Sequence, residues 1–291
     1  EQPVVLSAEA GFTYSLDTQN AYDLNGSIGM NMESAIVPGA DIVLDSTVGY
    51  NQAARASHSA TSFKSAMSTK FENMLKSTEK RLEIAMLYGN QNIGTAAAQD
   101  VGAPVTSLTF IVDYASWATG IWTGSENANI VFSKSSDNTA IDSLRSFAIS
   151  GVNPDTRAIT VIAGTAGTPG TIATLETAIE AFALNINWYG SVSGSAGTFA
   201  YAEMAGLYKI ITNTGSLFGI DAAVYDLWKG NAVVTNGQLT MAKVLSSVSR
   251  AVQRGLDTDA VVLVNPSTWA DLASNLAALR RFDGSYSRKK M

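Results

Sequence analysis

Between Ser62 and Tyr88 the chain runs for 27 residues without a glycine or a proline, and this limits its possible folds more than any other feature. At about 1.5 Å per residue, one helix over that stretch is a rod about 40 Å long, beyond most domain helices. At about 100° per residue, Phe63, Met67, Phe71, Met74, Leu75, Leu82, Ala85 and Met86 fall within roughly 140° of arc, with Glu72, Lys76, Glu79 and Glu83 on the far side. The spacing predicts an amphipathic helix with Met74, Leu82 and Met86 turned inward. Glu72 and Lys76 form an i,i+4 pair and Lys76 and Glu79 an i,i+3 pair, each worth about 0.2 to 0.5 kcal/mol. Ile84, Leu87 and Tyr88 spread apolar surface around the last turn, so that end is expected to be buried deeper than the start. Gly89-Asn90 then predicts a left-handed cap.

The flanking sequence is different in kind. Residues 1–37 are polar and broken by Gly11, Gly26 and Gly29, which predicts an extended arm with short strands that needs a partner to hold it. Residues 38–61 alternate briefly through Ile42, Leu44, Val48 and Tyr50 and then lose any apolar face, which predicts a hairpin or long loop. Beyond the helix, Leu108–Val112, Asn129–Ser133, Ser146–Ser150 and Ala158–Ala163 read as strands, and Asp113 as the N-cap of a short helix. Thr174–Leu184 and Ala202–Asn213 have helical spacing, with an extended "INWYGS" between them. Leu239–Gly255 predicts a helix, Ala260–Val264 a buried strand, and "NPSTWADLASNLAALRR" a second helix. No repeat of fixed period occurs.

Composition narrows the function. Only 15 % of the 291 residues are charged, against roughly 25 % in an average soluble domain. A surface that poor in charge suits a chain packed against copies of itself, or a secreted protein. The net charge of −6 argues against a protein built to grip phosphate backbones. The absence of Cys excludes disulfides and thiolate metal sites and fits a reducing cytoplasm. No apolar run approaches the roughly 20 residues a membrane helix needs. The chain opens on Glu1 with no basic-then-apolar leader, so the expectation is that either an N-terminal piece was removed or the sequence starts late.

Catalytic patterns fail one by one. The single histidine, His58, lies in the polar loop, and "GSVSG" has Val192 where a nucleophilic serine would stand. Gly89 to Gly94 has phosphate-loop spacing, but Thr95-Ala96 replaces the required Lys-Ser/Thr. "GTAGTPG" at Gly164–Gly170 lacks dinucleotide spacing, and Asp257 and Asp259 lack the rest of a calcium loop. No catalytic, metal or cofactor residue is assigned. A carboxylate-dependent hydrolase remains as a distant alternative, since 25 acidic residues allow many pairs. The one basic concentration is Arg280, Arg281, Arg288, Lys289 and Lys290, a solvated tail or a face toward an acidic partner or a phosphate-rich interior.

Two segments resemble the major capsid proteins of tailed bacteriophages, which share the Hong Kong ninety-seven phage capsid fold. "IVLDSTVGYNQAARAS" followed by "FKSAMSTKFENMLKSTEKRLEIAMLYGN" is similar to that family's extended loop and spine helix. "AVVLVNPSTWADLASNLAALRRFDGSY" is similar to its axial-domain strand, Asn-Pro-x-x-Trp turn and helix. With the arm and the helix at Leu239 these cover a little under half of the chain. The resemblance implies an α+β fold with an N-terminal arm (1–37), an extended loop (38–61) and a peripheral domain (62–112) with its spine at 62–88. A strand-rich peripheral or inserted region (113–238) and an axial domain (239–291) complete it, the last expected to be incomplete because the family continues further.

What the resemblance implies for function is a structural subunit that self-assembles into hexamers and pentamers of an icosahedral head shell, assembled in the host cytoplasm and carried in the virion. The partners are copies of itself, portal and scaffolding proteins, and packaged DNA through weak nonspecific contact, with no membrane and no cofactor. Tyr50, Arg55, Lys64, Lys76, Glu79 and Glu83 are the expected inter-subunit contacts. Arg280 to Lys290 are the expected interior or partner-facing patch. Arms and loops of this kind are expected to anchor by adding strands to a neighbour's sheet edge. A cellular nanocompartment shell of the same fold is the alternative.

Overall fold

The computed structural model of the chain describes residues 1–14, 24–47, 49, 60–102, 106–194, 200–233 and 237–287, with backbone alone for 60–66 and 277–287. The chain is of mixed α and β character, α+β at the coarse level, and divides into two compact units, Glu1–Trp228 and Lys229–Met291.

The first unit opens with strand β1 (Gln2–Ser7) paired antiparallel to β2 (Asn31–Ala35). Helix α1 follows as one unbroken element, Ala60–Tyr88, 29 residues long. The helix matches the sequence expectation because nothing in it lacks an amide hydrogen or adds backbone freedom. After it come β3 (Gly94–Ala96), β4 (Ser107–Ile111), a 3-10 turn at Tyr114–Ser116 and the single-turn helix α2 (Thr119–Trp122). Asp113 does not cap that turn; its carboxylate accepts from Thr95 Oγ1 at 2.9 Å and from the Ala97 amide at 3.1 Å. Strands β5 (Asn129–Lys134), β6 (Phe147–Asn153) and β7 (Ala158–Ala163), helix α3 (Ile172–Ala181) and β8 (Leu184–Trp188) complete the main lobe.

Six of these strands form an antiparallel sheet in the order β3-β8-β5-β6-β7-β4. Edge strand β4 keeps strict alternation, with Leu108 and Phe110 buried and Ser107, Thr109 and Ile111 exposed. Strand β8, inside the β3 edge, is buried at every position. The core gathers Phe110, Phe132 and Phe147, whose rings meet edge-on at 5.6 and 5.5 Å. Leu175 and Ile179 of α3 seal it.

The outer strands are partly closed by side chains. The Gln99 amide mimics a neighbouring strand by donating to Ile111 O at 3.0 Å and accepting from Ile111 N at 2.8 Å. On β3, Thr95 N donates to Ser116 Oγ at 2.8 Å, and Thr95 O accepts from Asp113 N at 2.8 Å. Strand addition at these points must first displace an existing partner.

The last part of the unit holds β9 (Val192–Ser193), β10 (Ala200–Tyr201), helix α4 (Leu207–Ile211), β11 (Ser216–Leu217) and β12 (Ile220–Asp221). The helix expected over Ala202–Asn213 shrinks to α4 because residues 202–206 instead cross the end of α1. Between β11 and β12, Phe218 and Gly219 both take positive φ, 56° and 87°, the geometry of a two-residue hairpin turn. This hairpin holds the arm. Leu6 and Ala35 bury against Ile220, flanked by Phe218, Tyr225 and Trp228. Tyr225 Oη accepts from Asn31 Nδ2 at 2.7 Å and donates to Glu33 Oε1 at 2.9 Å. The arm was expected to need a partner, and its base finds one in its own chain.

The second unit contains helix α5 (Met241–Gln253) and helix α6 (Pro266–Ser287). Thr240 caps α5 with its hydroxyl facing Lys243 N, and Gly255 at φ 97° follows its end. Asn265 caps α6, its Oδ1 accepting from Thr268 N at 2.7 Å, with Pro266 at the first helical position. The strand expected at Ala260–Val264 does not form. The run is irregular, with Val261, Val262 and Leu263 exposed, because among the described residues no strand pairs with it and a lone strand leaves half its backbone groups unbonded.

Truncating Leu6 to Ala removes the largest buried side chain of the arm's base. The expected loss is about 2 to 4 kcal/mol, confined to that cluster. Hydrogen exchange should accelerate in residues 2–7 and 31–35 and stay unchanged in β5 and β6; uniform acceleration throughout the unit would contradict the local anchor.

Candidate functional site

The C-terminal turns of α1 pack through Met74, Thr78, Arg81, Ile84, Ala85 and Tyr88. These positions follow the 4-3 spacing of one helical face. Ala85 is 2 % exposed, while Ile84 and Tyr88 join the sheet's core. The deeper burial expected of this end holds for those three residues but not for Leu87, which stays exposed.

Arg81 is the unusual member of that face. Its guanidinium carbon lies 4.1 Å from the ring centroid of Trp188, itself 3 % exposed. A guanidinium over an indole face contributes about 0.5 to 2 kcal/mol, depending on its desolvation. Behind Trp188 stand Trp122, with ring centroids 5.9 Å apart, and then Trp117, stacked on Trp122 at 6.1 Å. The charge therefore sits on the end of a column of indoles that crosses the core. Burial brings the Arg81 pKa down to about 10, opposed by the charge of Glu203. Burial raises the Glu203 carboxyl above its ordinary range, while Arg81 and the Asn90 backbone amide pull it back. Burial, reinforced by Glu203, lifts Tyr201 to about 12.

Two glycines make this joint. A Cβ on Gly89 would stand 2.3 Å from Met204 O, and one on Gly206 would stand 2.5 Å from Gly89 N. With no side chain on either, Gly206 N donates to Gly89 O at 2.8 Å. Gly89 thus serves close approach, whereas the left-handed cap expected of Gly89-Asn90 falls to Asn90, at φ 59°. Above the joint opens a cleft of about 760 Å³ walled by Ile42, Leu44, Ile84, Ala128, Trp188 and Met204. Lys80 reaches across its rim to the Thr123 carbonyl.

Four exposed apolar side chains of α1 do not share that face. Phe71, Leu75, Leu82 and Met86 fall within roughly 60° of arc, and they are exposed, Phe71 at 63 % and Met86 at 59 %. The expectation that Leu82 and Met86 turn inward is therefore corrected; of the three only Met74 is half-buried. The reason is that Thr78 and Arg81 occupy the packed face in place of apolar residues, which rotates the apolar stripe away from the sheet.

Of the expected contact residues, Lys76, Glu79 and Glu83 are exposed beside this stripe. Lys64 lies in α1 with its side chain outside the described set, and Tyr50, Arg55 and His58 lie outside the described residues altogether. Arg280 and Arg281 fall within α6 with side chains outside that set, and Arg288, Lys289 and Lys290 lie beyond the described residues. Among the described residues no group of three or more His, Asp or Glu is placed to hold a metal. None of the described helices is long and apolar enough to cross a membrane. Ser191, within the failed nucleophile motif, is buried and donates to Trp188 O at 2.9 Å. Arg81, Trp188 and Glu203 were missed from sequence, although Arg81 stands at the correct spacing from Met74, Thr78, Ala85 and Tyr88. No family model matches the chain, and neither does any curated protein or solved structure.

Two measurements test the joint. Gly206→Ala should destabilise the unit by about 2 kcal/mol or more, because the new methyl meets backbone rather than a mobile side chain; an unchanged denaturant midpoint would contradict the crossing. For Glu203 the sign follows from its raised folded pKa: between the ordinary value of 4.5 and that raised value the folded state binds more protons. Wild type should therefore gain stability relative to Glu203→Gln as pH falls through that window, and a parallel pair of stability curves would exclude a buried carboxyl.

Proposed function

We propose that the chain is a structural shell subunit, the major capsid protein of a tailed bacteriophage, which self-assembles through hexamers and pentamers into the icosahedral head around the genome and has no catalytic role. The observation that carries this reading is the exposed stripe Phe71, Leu75, Leu82 and Met86 on an unbroken 29-residue helix. Each such side chain gains about 1.5 to 3 kcal/mol when a neighbour buries it. A rigid rod carrying an unburied apolar line is costly for a lone subunit and useful for one surrounded by copies of itself.

The resemblance of the loop, spine and Asn-Pro-Ser-Thr-Trp segments to phage capsid proteins supports the same reading. Assembly in the host cytoplasm, residence in the virion, and portal and scaffolding partners follow from that proposal. Lys76, Glu79 and Glu83, exposed next to the stripe, then set which neighbour fits.

Purified protein should form rings or shells by mass photometry. Replacing Phe71, Leu75, Leu82 and Met86 with Gln should abolish them while changing subunit stability by no more than about 0.5 kcal/mol per site, as expected of exposed positions. Wild-type protein that stays a single subunit under every assembly condition overturns the reading.

A further inference from the structure

The charge of the chain is segregated along its length. Residues 1–54 carry seven carboxylates and no Lys or Arg, whereas residues 229–291 carry nine Lys and Arg against four Asp. Surfaces charged only for solubility intersperse the two signs. In the acidic segment Glu1, Glu9, Asp41 and Asp45 are exposed, and they stand among exposed apolar side chains such as Val5, Met32, Val37 and Val43.

The C-terminal unit offers the complement. Helix α5 places Met241, Val244, Leu245, Val248 and Val252 on one face, yet no residue of the helix is buried. Leu245 and Val252 are 62 % and 55 % exposed. Arg250 and Arg254 are exposed on the helix's other side and Lys229 is exposed nearby in sequence, while Asp257, Asp259 and Asp271 are the exposed acids of the unit.

We infer that the acidic arm and loop of one copy dock on the basic C-terminal unit of a neighbouring copy. Charge brings the two surfaces together and sets their direction, and the apolar face of α5 supplies the contact. Such a pairing joins unlike surfaces, so it can propagate from copy to copy, closing into a ring where the rotation between copies closes. The inference rests on the self-assembly reading above and adds which surfaces meet.

Two charge-reversed variants test it. One carries Glu1, Glu9, Asp41 and Asp45→Lys; the other carries Lys229, Arg250 and Arg254→Glu; circular dichroism checks that both fold. In sedimentation velocity at low salt each variant alone should associate at least about tenfold more weakly than wild type. Their equal mixture should recover to within about threefold, because each arm then meets a unit of opposite sign. Wild-type association should also weaken between about 0.05 and about 0.5 M salt as the Debye length shortens.

Variants that associate alone as well as wild type, or a mixture no better than its parts, overturn the pairing and leave the shell reading standing. Wild type that never associates removes both. If the Lys229, Arg250 and Arg254 variant associates normally but loses retention of duplex DNA, the basic unit is a nucleic-acid face and the pairing fails.

Discussion

The guanidinium of Arg81 on the face of Trp188 is the interaction on which the arrangement of residues 1–228 depends. It joins Ile84, Ala85 and Tyr88 in holding a long helix to a sheet while Phe71, Leu75, Leu82 and Met86 look elsewhere. A half-buried cation is costly by itself, and three features offset the cost: the indole column behind it, the opposing charge of Glu203, and the Gly89–Gly206 crossing that brings residues 202–206 against the helix end. An apolar residue at position 81 would have packed with less penalty, but it would not have opposed the charge of Glu203.

That joint has a consequence for the exposed surface. With Thr78 and Arg81 on the packed face, the phase of the helix is set by polar residues, and Phe71, Leu75, Leu82 and Met86 are carried to an adjacent, unburied line. Meanwhile Gln99, Ser116 and Asp113 occupy parts of the outer strands of the six-stranded sheet. Sheet edges, the route first expected for joining subunits, are thereby made less available to the proposed assembly, which rests instead on the exposed line of α1.

Much of this was legible in the residues. The unbroken helix followed from the lack of Gly and Pro between Ser62 and Tyr88, and strands β4 to β7 from short β-branched and aromatic runs between turn residues. The α6 cap was written in Asn265-Pro266. What failed did so for tertiary reasons. Ala260–Val264 has every local mark of a strand, but pairing is decided by a partner that local sequence does not show. Residues 202–206 have helical spacing and were taken by the glycine crossing. The inward face of α1 was misassigned because an apolar count passes over an arginine that packs on an indole, and the partner, Trp188, lies 107 positions away.

The central claim, that the apolar line on α1 exists to be covered by copies of the chain, is tested most directly by electron cryo-microscopy of whatever the purified protein assembles into. The account predicts closed shells of pentamers and hexamers in which residues 60–88 remain one helix and Phe71, Leu75, Leu82 and Met86 are buried against neighbouring subunits. A particle in which that line faces bulk solvent, or a helix broken on assembly, would contradict it.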